Sequence, residues 1–396
     1  MSTRIVVAIL LGVVIYTVGI VGAAPPRSFI VAVNDDGFSG FFNGRYVSEQ
    51  ALTEKIGRYR DGATNLFEWC VSVGGTANYQ SHVVEVFGDS ISGYARRGDS
   101  VAATIIRSWI AEGRNPLDVA VQACREIGVS CYASIQMNEY FNPVWTSGAL
   151  AREFNGSFWM QRAELRIRTV HGSMLPNLTY GAPEVRTRYL QWIREILSHD
   201  LDGINLDFLR HPPVFGYEDA MVRAFREAYH SMPDTSRPLD SRWMKLRQAI
   251  MNDFIGTVHH ETVAAAARWN HPVGLSVRID QRDFAFEGFD VERWIKEGWI
   301  DILVVAQEGL GGYTFQVRDF LSMAANTGCA VVFGEESFVQ GDDQFEEGKP
   351  PRVTQRYMPV AQALERVIQW KRMGMQGVHL FNGSERYDLL KDLKGI

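Results

Sequence analysis

Cysteine is scarce in this 396-residue chain: Cys70, Cys124, Cys131 and Cys329 are all it has. Their spacing fits no zinc motif, and so few cysteines in so long a chain rule out a small disulfide-stapled scaffold. Cys124 and Cys131, at a helix end and the next strand start, are the best-placed pair for a local bridge; buried free thiols are the alternative. Long runs of one charge are also missing. Forty basic residues against 46 acidic ones leave a net charge of −6, spread evenly enough to exclude a nucleic-acid surface or a charged disordered tail. There is no Gly-x-Ser-x-Gly elbow, and Gly309-Leu310-Gly311-Gly312 lacks the lysine of a phosphate loop. His259-His260-Glu261 lacks the i, i+4 spacing of a zinc helix. No short-period repeat and no linker divide the chain.

One long apolar run is present, at the N-terminus. Arg4 is followed by an almost wholly apolar stretch from Ile5 to Ile20, then by the small residues Val21-Gly22-Ala23. This pattern predicts a signal peptide over residues 1–23, cut before Ala24, and an exported mature chain with no stable membrane insertion. The stretch is close to the length of a short span, so an uncleaved anchor is the alternative. Residues 24–396 are expected to form one domain.

The rest of the chain alternates strand and helix. Strands are predicted at Ser28–Asn34, Asn65–Val71, Val129–Ile135, around Gly203–Asp207, and at Val273–Ile279, Asp301–Ala306, Cys329–Phe333 and Gly377–Phe381. Helical patterns lie between them, including Pro183–Ser198, whose apolar stripe runs through Tyr189, Ile193, Ile196 and Leu197. Eight strands separated by helices, in a chain of this length, predict a single (β/α)8 barrel. A doubly wound open sheet is the rival, but Asn34-Asp35-Asp36-Gly37 would repel a phosphate where that fold carries its glycine-rich turn.

The most informative stretch is Asp202-Gly203-Ile204-Asn205-Leu206-Asp207-Phe208-Leu209-Arg210. Gly203, Asn205 and Asp207 share one strand face, and Asp207 ends the strand, where barrels place catalytic groups. Together with the preceding helix (Gly181-Ala182-Pro183-Glu184-Val185-Arg186, Tyr189-Leu190, Ile193–Leu197), this stretch resembles glycosyl hydrolase-like family 10. That family has a helix, then D-G-[IV]-x-[LF]-D-[YF]-x-R, then an aromatic and a proline; here His211 replaces the aromatic. The resemblance covers about forty residues. It implies a (β/α)8 barrel and glycoside hydrolysis of a poly- or oligosaccharide, with Arg210 part of the site.

Such chemistry needs two carboxyl groups across the scissile bond and no cofactor or metal. Asp207 is the first candidate. Alternation along the seventh strand groups Val331, Phe333 and Glu335, which makes Glu335 the candidate inward partner and Glu336 the alternative if the strand bends. Asn205, Arg210, Arg278, Gln307, Asn382 and Asp35 are the candidate polar lining. Arg278 could instead be an internal ion-pair partner, and Asp35 with Asp36 projects to opposite sides, a weak arrangement for a metal. Trp69, Trp145, Trp159, Tyr140 and Tyr313 fall near rim loops as stacking platforms or core residues. A carbohydrate-binding barrel without turnover and a metal-dependent hydrolase are the rival functions.

Overall fold

The computed structural model describes residues 28–396 except 90, 92, 142–146, 211, 235, 237–239, 308–316, 337, 341–342, 345–351 and 354–355. The predicted signal peptide, His211, Trp145 and Tyr313 lie outside the described residues. Eight parallel strands close into a barrel, as expected from the sequence. They are β1 (Ile30–Asp35), β2 (Leu66–Cys70), β3 (Ser130–Gln136), β4 (Gly203–Asp207), β5 (Gly274–Asp280), β6 (Ile302–Ala306), β7 (Ala330–Glu336) and β8 (Gly377–Phe381). Each pairs with its sequence neighbours, and β1 pairs with β8 to complete the ring. The closed ring displaces the open-sheet alternative.

Helices α1 (Glu49–Gly57), α2 (Pro116–Ile127), α3 (Pro183–Ile196), α4 (Ser241–Trp269), α5 (Val291–Lys296), α6 (Val317–Ala324) and α7 (Val360–Arg372) run between the strands. Local chemistry sets several of their ends. Ser48 accepts a hydrogen bond from the Ala51 N–H at the start of α1, and Asn115 does the same for Leu117 ahead of α2. Proline opens both α2 and α3, where its missing N–H costs nothing. The buried face of α3 is Val185, Tyr189, Trp192, Ile193 and Ile196, close to the predicted stripe.

The strands are buried on both sides. Val31, Val33, Phe67, Ile204, Leu206, Val277, Val305, Val331, Phe333 and Leu380 face the helical layer within one large apolar cluster. A second, small cluster fills the lower barrel interior: Ala32, Leu66, Tyr132, Ile302, Val304, Ala330 and Val332. Each fully buried aliphatic side chain contributes about 1.5–3 kcal/mol, so two-sided burial fixes strand positions firmly. Tyr132 needs room at the bottom, and glycines supply it. Gly203 pairs in register with both Tyr132 and Gly274, and a methyl group at either glycine would strike the Tyr132 ring. Above this apolar floor the interior turns polar, on the rim formed by the C-terminal strand ends.

Candidate active site at the barrel mouth

The parity of each strand decides which acids reach the mouth. Inward positions on β4 are Gly203, Asn205 and Asp207, since Ile204 and Leu206 belong to the outer cluster. Asp207 therefore points into the barrel as its sequence position suggests, and only 2% of it is exposed. Its neighbour across β5 is Arg278, in direct register. Arg278 is 1% exposed, and its Nη1 donates to Asp207 Oδ2 at 2.9 Å. The second terminal nitrogen, Nη2, donates to Glu336 Oε1 at 3.1 Å. The Leu209 N–H donates to the other Asp207 oxygen at 3.1 Å. One guanidinium thus holds two carboxylates from opposite parts of the ring.

Glu335 is not the inward acid of β7. Val331 and Phe333 face the helices, so Glu335 shares the outer face with them, and both Nε and Nη2 of Arg366 on α7 donate to its Oε2 at 3.1 and 3.0 Å. Burial pushes Glu335 up to about 7, against the opposing pull of Arg366. The inward side chain is Glu336, whose side chain is 21% exposed at the mouth. Parity misled the sequence reading because β7 is apolar on both faces, and nothing in Val331-Val332-Phe333 says which face is which.

The other predicted site residues divide. Asn205 points inward and donates from Nδ2 to Ser134 Oγ on β3 at 3.0 Å. Arg210 is half-buried just beyond β4, its guanidinium carbon 5.4 Å from the centre of the Phe381 ring. Asp35 faces away from the mouth: Lys55 Nζ on α1 donates to it at 2.6 Å and the Tyr46 hydroxyl at 3.1 Å. It is a barrel-to-helix tie, and a substrate-binding role is withdrawn. Gln307 has the outward parity of Leu303 and Val305, and its Oε1 accepts from Gln281 at 3.1 Å beyond the strand ends. Asn382 starts the turn after β8 in a left-handed conformation, φ 49°. Neither amide is joined to the Arg278 cluster by a described bond. Trp69 and Trp159 are fully buried and Tyr140 nearly so, which makes all three core residues. Cys70, Cys124, Cys131 and Cys329 are buried and unbridged.

Three inward residues were not anticipated. Glu68 on β2, His379 on β8 and Phe381 at the end of β8 all point into the barrel. His379 Nε2 lies 2.8 Å from Glu68 Oε2, and Asn34 Nδ2 donates to the same oxygen at 3.3 Å. Glu68 and His379 are both fully buried. A charge inside the otherwise apolar Leu66-Phe67-Glu68-Trp69-Cys70 was the available sequence signal, since such residues are rarely buried without a partner. Phe381 carried no signal, because one aromatic ending an apolar strand looks like core.

Among the described residues no group of three or more His, Cys, Asp or Glu side chains converges as a metal site, and no helix is long and apolar enough to cross a membrane. The closed ring of eight parallel strands with helices between them defines a (β/α)8 barrel. Residues 155–308 match the family model of glycosyl hydrolase-like 10, which bears out the resemblance carried by residues 181–210. No curated protein matches the chain. Similar solved structures include α-L-fucosidase isoenzyme 2 from Paenibacillus thiaminolyticus, with 13% identity and a TM-score of 0.57, covering 93% of this chain and 49% of that one. The β-galactosidase from Marinomonas ef1 shares 9% identity at a TM-score of 0.53, covering 90% of this chain and 54% of that one. The catalytic domain of β-amylase from Paenibacillus polymyxa shares 10% at 0.51, covering 91% and 94% respectively. At these identities the likeness establishes the shared fold. The chain spans only about half the length of the fucosidase.

Proposed function

We propose that this chain is an exported glycoside hydrolase that cleaves a poly- or oligosaccharide with Asp207 and Glu336 as its carboxyl pair. The observation that carries the proposal is the single guanidinium of Arg278, which gathers two inward carboxylates from β4 and β7 at the barrel mouth. Asp207, the more buried of the two, accepts from Arg278 and the Leu209 N–H, which fix its two oxygens in place for the role of nucleophile or base. Glu336, across the mouth from it on β7, is then the group left to exchange a proton with the leaving-group oxygen. Asn205 and Arg210 are the neighbouring groups positioned to contact sugar hydroxyls. The match to a glycosyl hydrolase-like family supports the substrate class, and the hydrolases of similar fold agree with it. Export rests on the sequence pattern of residues 1–23.

The purified chain, screened against a glycan panel, should release reducing ends. Asp207→Asn and Glu336→Gln should each lower kcat by about 10²–10⁴-fold with the fold retained, while Glu335→Gln should stay within a few-fold of the parent. Unchanged turnover in both mouth variants would remove the pair from the mechanism.

A second reading has its own observation. Because Arg278 is bonded to both carboxylates and holds them as fixed acceptors, a sugar-binding surface without turnover is the second reading. Calorimetry separates the two: a binder gives glycan affinity with no product, and Asp207→Asn then alters affinity alone.

A further inference from the structure

Phe381 is the inward residue at the tip of β8, directly in register with Glu336 on β7. It is only 6% exposed although it stands at the rim. The Arg278 guanidinium carbon lies 4.0 Å from the centre of its ring, and that of Arg210 lies 5.4 Å away. At 4.0 Å the guanidinium is in van der Waals contact with the ring, whose electron-rich face attracts it. Arg278 meanwhile uses both terminal nitrogens on Asp207 and Glu336. A planar guanidinium can do both at once, because a ring engages its face while the N–H groups donate around its edge. Phe381 therefore restrains Arg278 without competing with the carboxylates.

The ring is itself supported from below. His379, two residues earlier on the same face of β8, lies with its ring centre 6.5 Å from that of Phe381 and the planes 24° apart. His379 is held by Glu68 across the barrel at 2.8 Å. The stack runs Glu68, His379, Phe381, Arg278, and ends on the two carboxylates.

We propose that Phe381 is the positioning residue of this mouth: its ring fixes the Arg278 guanidinium, and through it the placement and charge balance of Asp207 and Glu336. Phe381 transfers no proton and forms no bond to the reacting atoms. The inference rests on the carboxyl pair put forward above for its kinetic consequence, but not for the contact itself. Without the ring, Arg278 gains freedom, and the more exposed contact to Glu336 yields before the buried one to Asp207.

The test compares Phe381→Leu, Phe381→Met and Phe381→Tyr in the full chain, with folding checked by circular dichroism. Phe381→Met keeps side-chain bulk without a ring and serves where the leucine variant does not fold. On whichever glycan the parent cleaves, the ringless variants should lose about tenfold in kcat with KM within twofold, and the acidic limb of the kcat/KM profile should move. Phe381→Tyr should restore both. The charged and titratable groups set against Arg278 and the ring are Asp207, Glu336, Arg210 and His379, with Glu68 behind His379, so Glu336→Gln and His379→Gln backgrounds assign the shift. An activity-free arm follows the guanidinium nitrogen signals of Arg278 by ¹⁵N NMR, identified by their loss in Arg278→Lys. They should be sharp in the parent and Phe381→Tyr and exchange-broadened in the ringless variants. Sharp Arg278 signals in a folded ringless variant would overturn the proposal even if no glycan is cleaved. Broadened signals in a chain that cleaves nothing would leave the positioning role standing and sink the hydrolase reading instead.

Discussion

At the scale of the residue, the mouth depends on one buried cation. Arg278 is paired with both Asp207 and Glu336 near the rim of the barrel. Removing one partner of a buried ion pair leaves the other uncompensated, at a cost of about 3–5 kcal/mol. Arg278→Met should therefore lower stability by roughly that amount, measured by urea denaturation, and Asp207→Asn combined with it should recover part of the loss. An additive pair of effects would show that the two side chains are not coupled. Asp207 was legible from its place at the end of an apolar strand, because a carboxylate there has few structural uses. Glu336 was not, because adjacent glutamates on a two-sided strand give no parity. The structure resolves them by their cations: Arg366 on the helix for one, Arg278 in the barrel for the other.

At the scale of the element, the strands were legible and the loops were not. All eight barrel strands fall within a few residues of the spans their apolar runs predict, because the face of each strand that packs on the helices must be apolar along its length. The segments after β2 and β3 escaped notice. The short strands Ser72–Val73, Thr76–Ala77 and Glu85–Val86 form a small sheet of their own, and Arg166–Arg168 pairs with Met174–Leu178. They are too short and too polar for any periodicity to register. Side-chain volume at the barrel floor is an element-level constraint as well. A methyl group at Gly203 meets both the Tyr132 ring and the backbone of β5, neither of which can give way cheaply. Gly203→Ala should cost about 1–3 kcal/mol, read as a lower urea midpoint at unchanged slope. Gly203 is not in the left-handed region, so its cost is a packing term; the same substitution at Gly113, with open space but φ +71°, reports the backbone term by itself.

At the scale of the whole molecule, buried carboxyls make stability depend on pH in a definite direction. Burial raises Glu335 from its ordinary value of 4.5 to about 7, and burial likewise raises Glu287 to about 7 against the pull of Arg247 and the Val214 N–H. Between those values the folded chain keeps protons that the unfolded chain has released. Stability from these two groups is thus fully present below about pH 4.5 and is lost as pH rises toward 7. Each contributes on the order of 2–3 kcal/mol across that window. Calorimetric scans of Glu335→Gln should show a shallower fall in Tm from pH 5 to 7.5 than the parent. An identical slope would mean that Arg366 cancels the burial effect. Fold class was visible from the sequence at this scale because strand and helix periods persist over the whole chain. The polar core was hidden, since Glu68 and His379 meet only when the ring closes through β1.

Tyr132 and its surrounding aliphatic side chains close the barrel from beneath, while the polar groups gather above them. A tunnel through the ring is thereby excluded. No molecule can pass through such a ring; anything that enters by the polar opening has to leave by the same side.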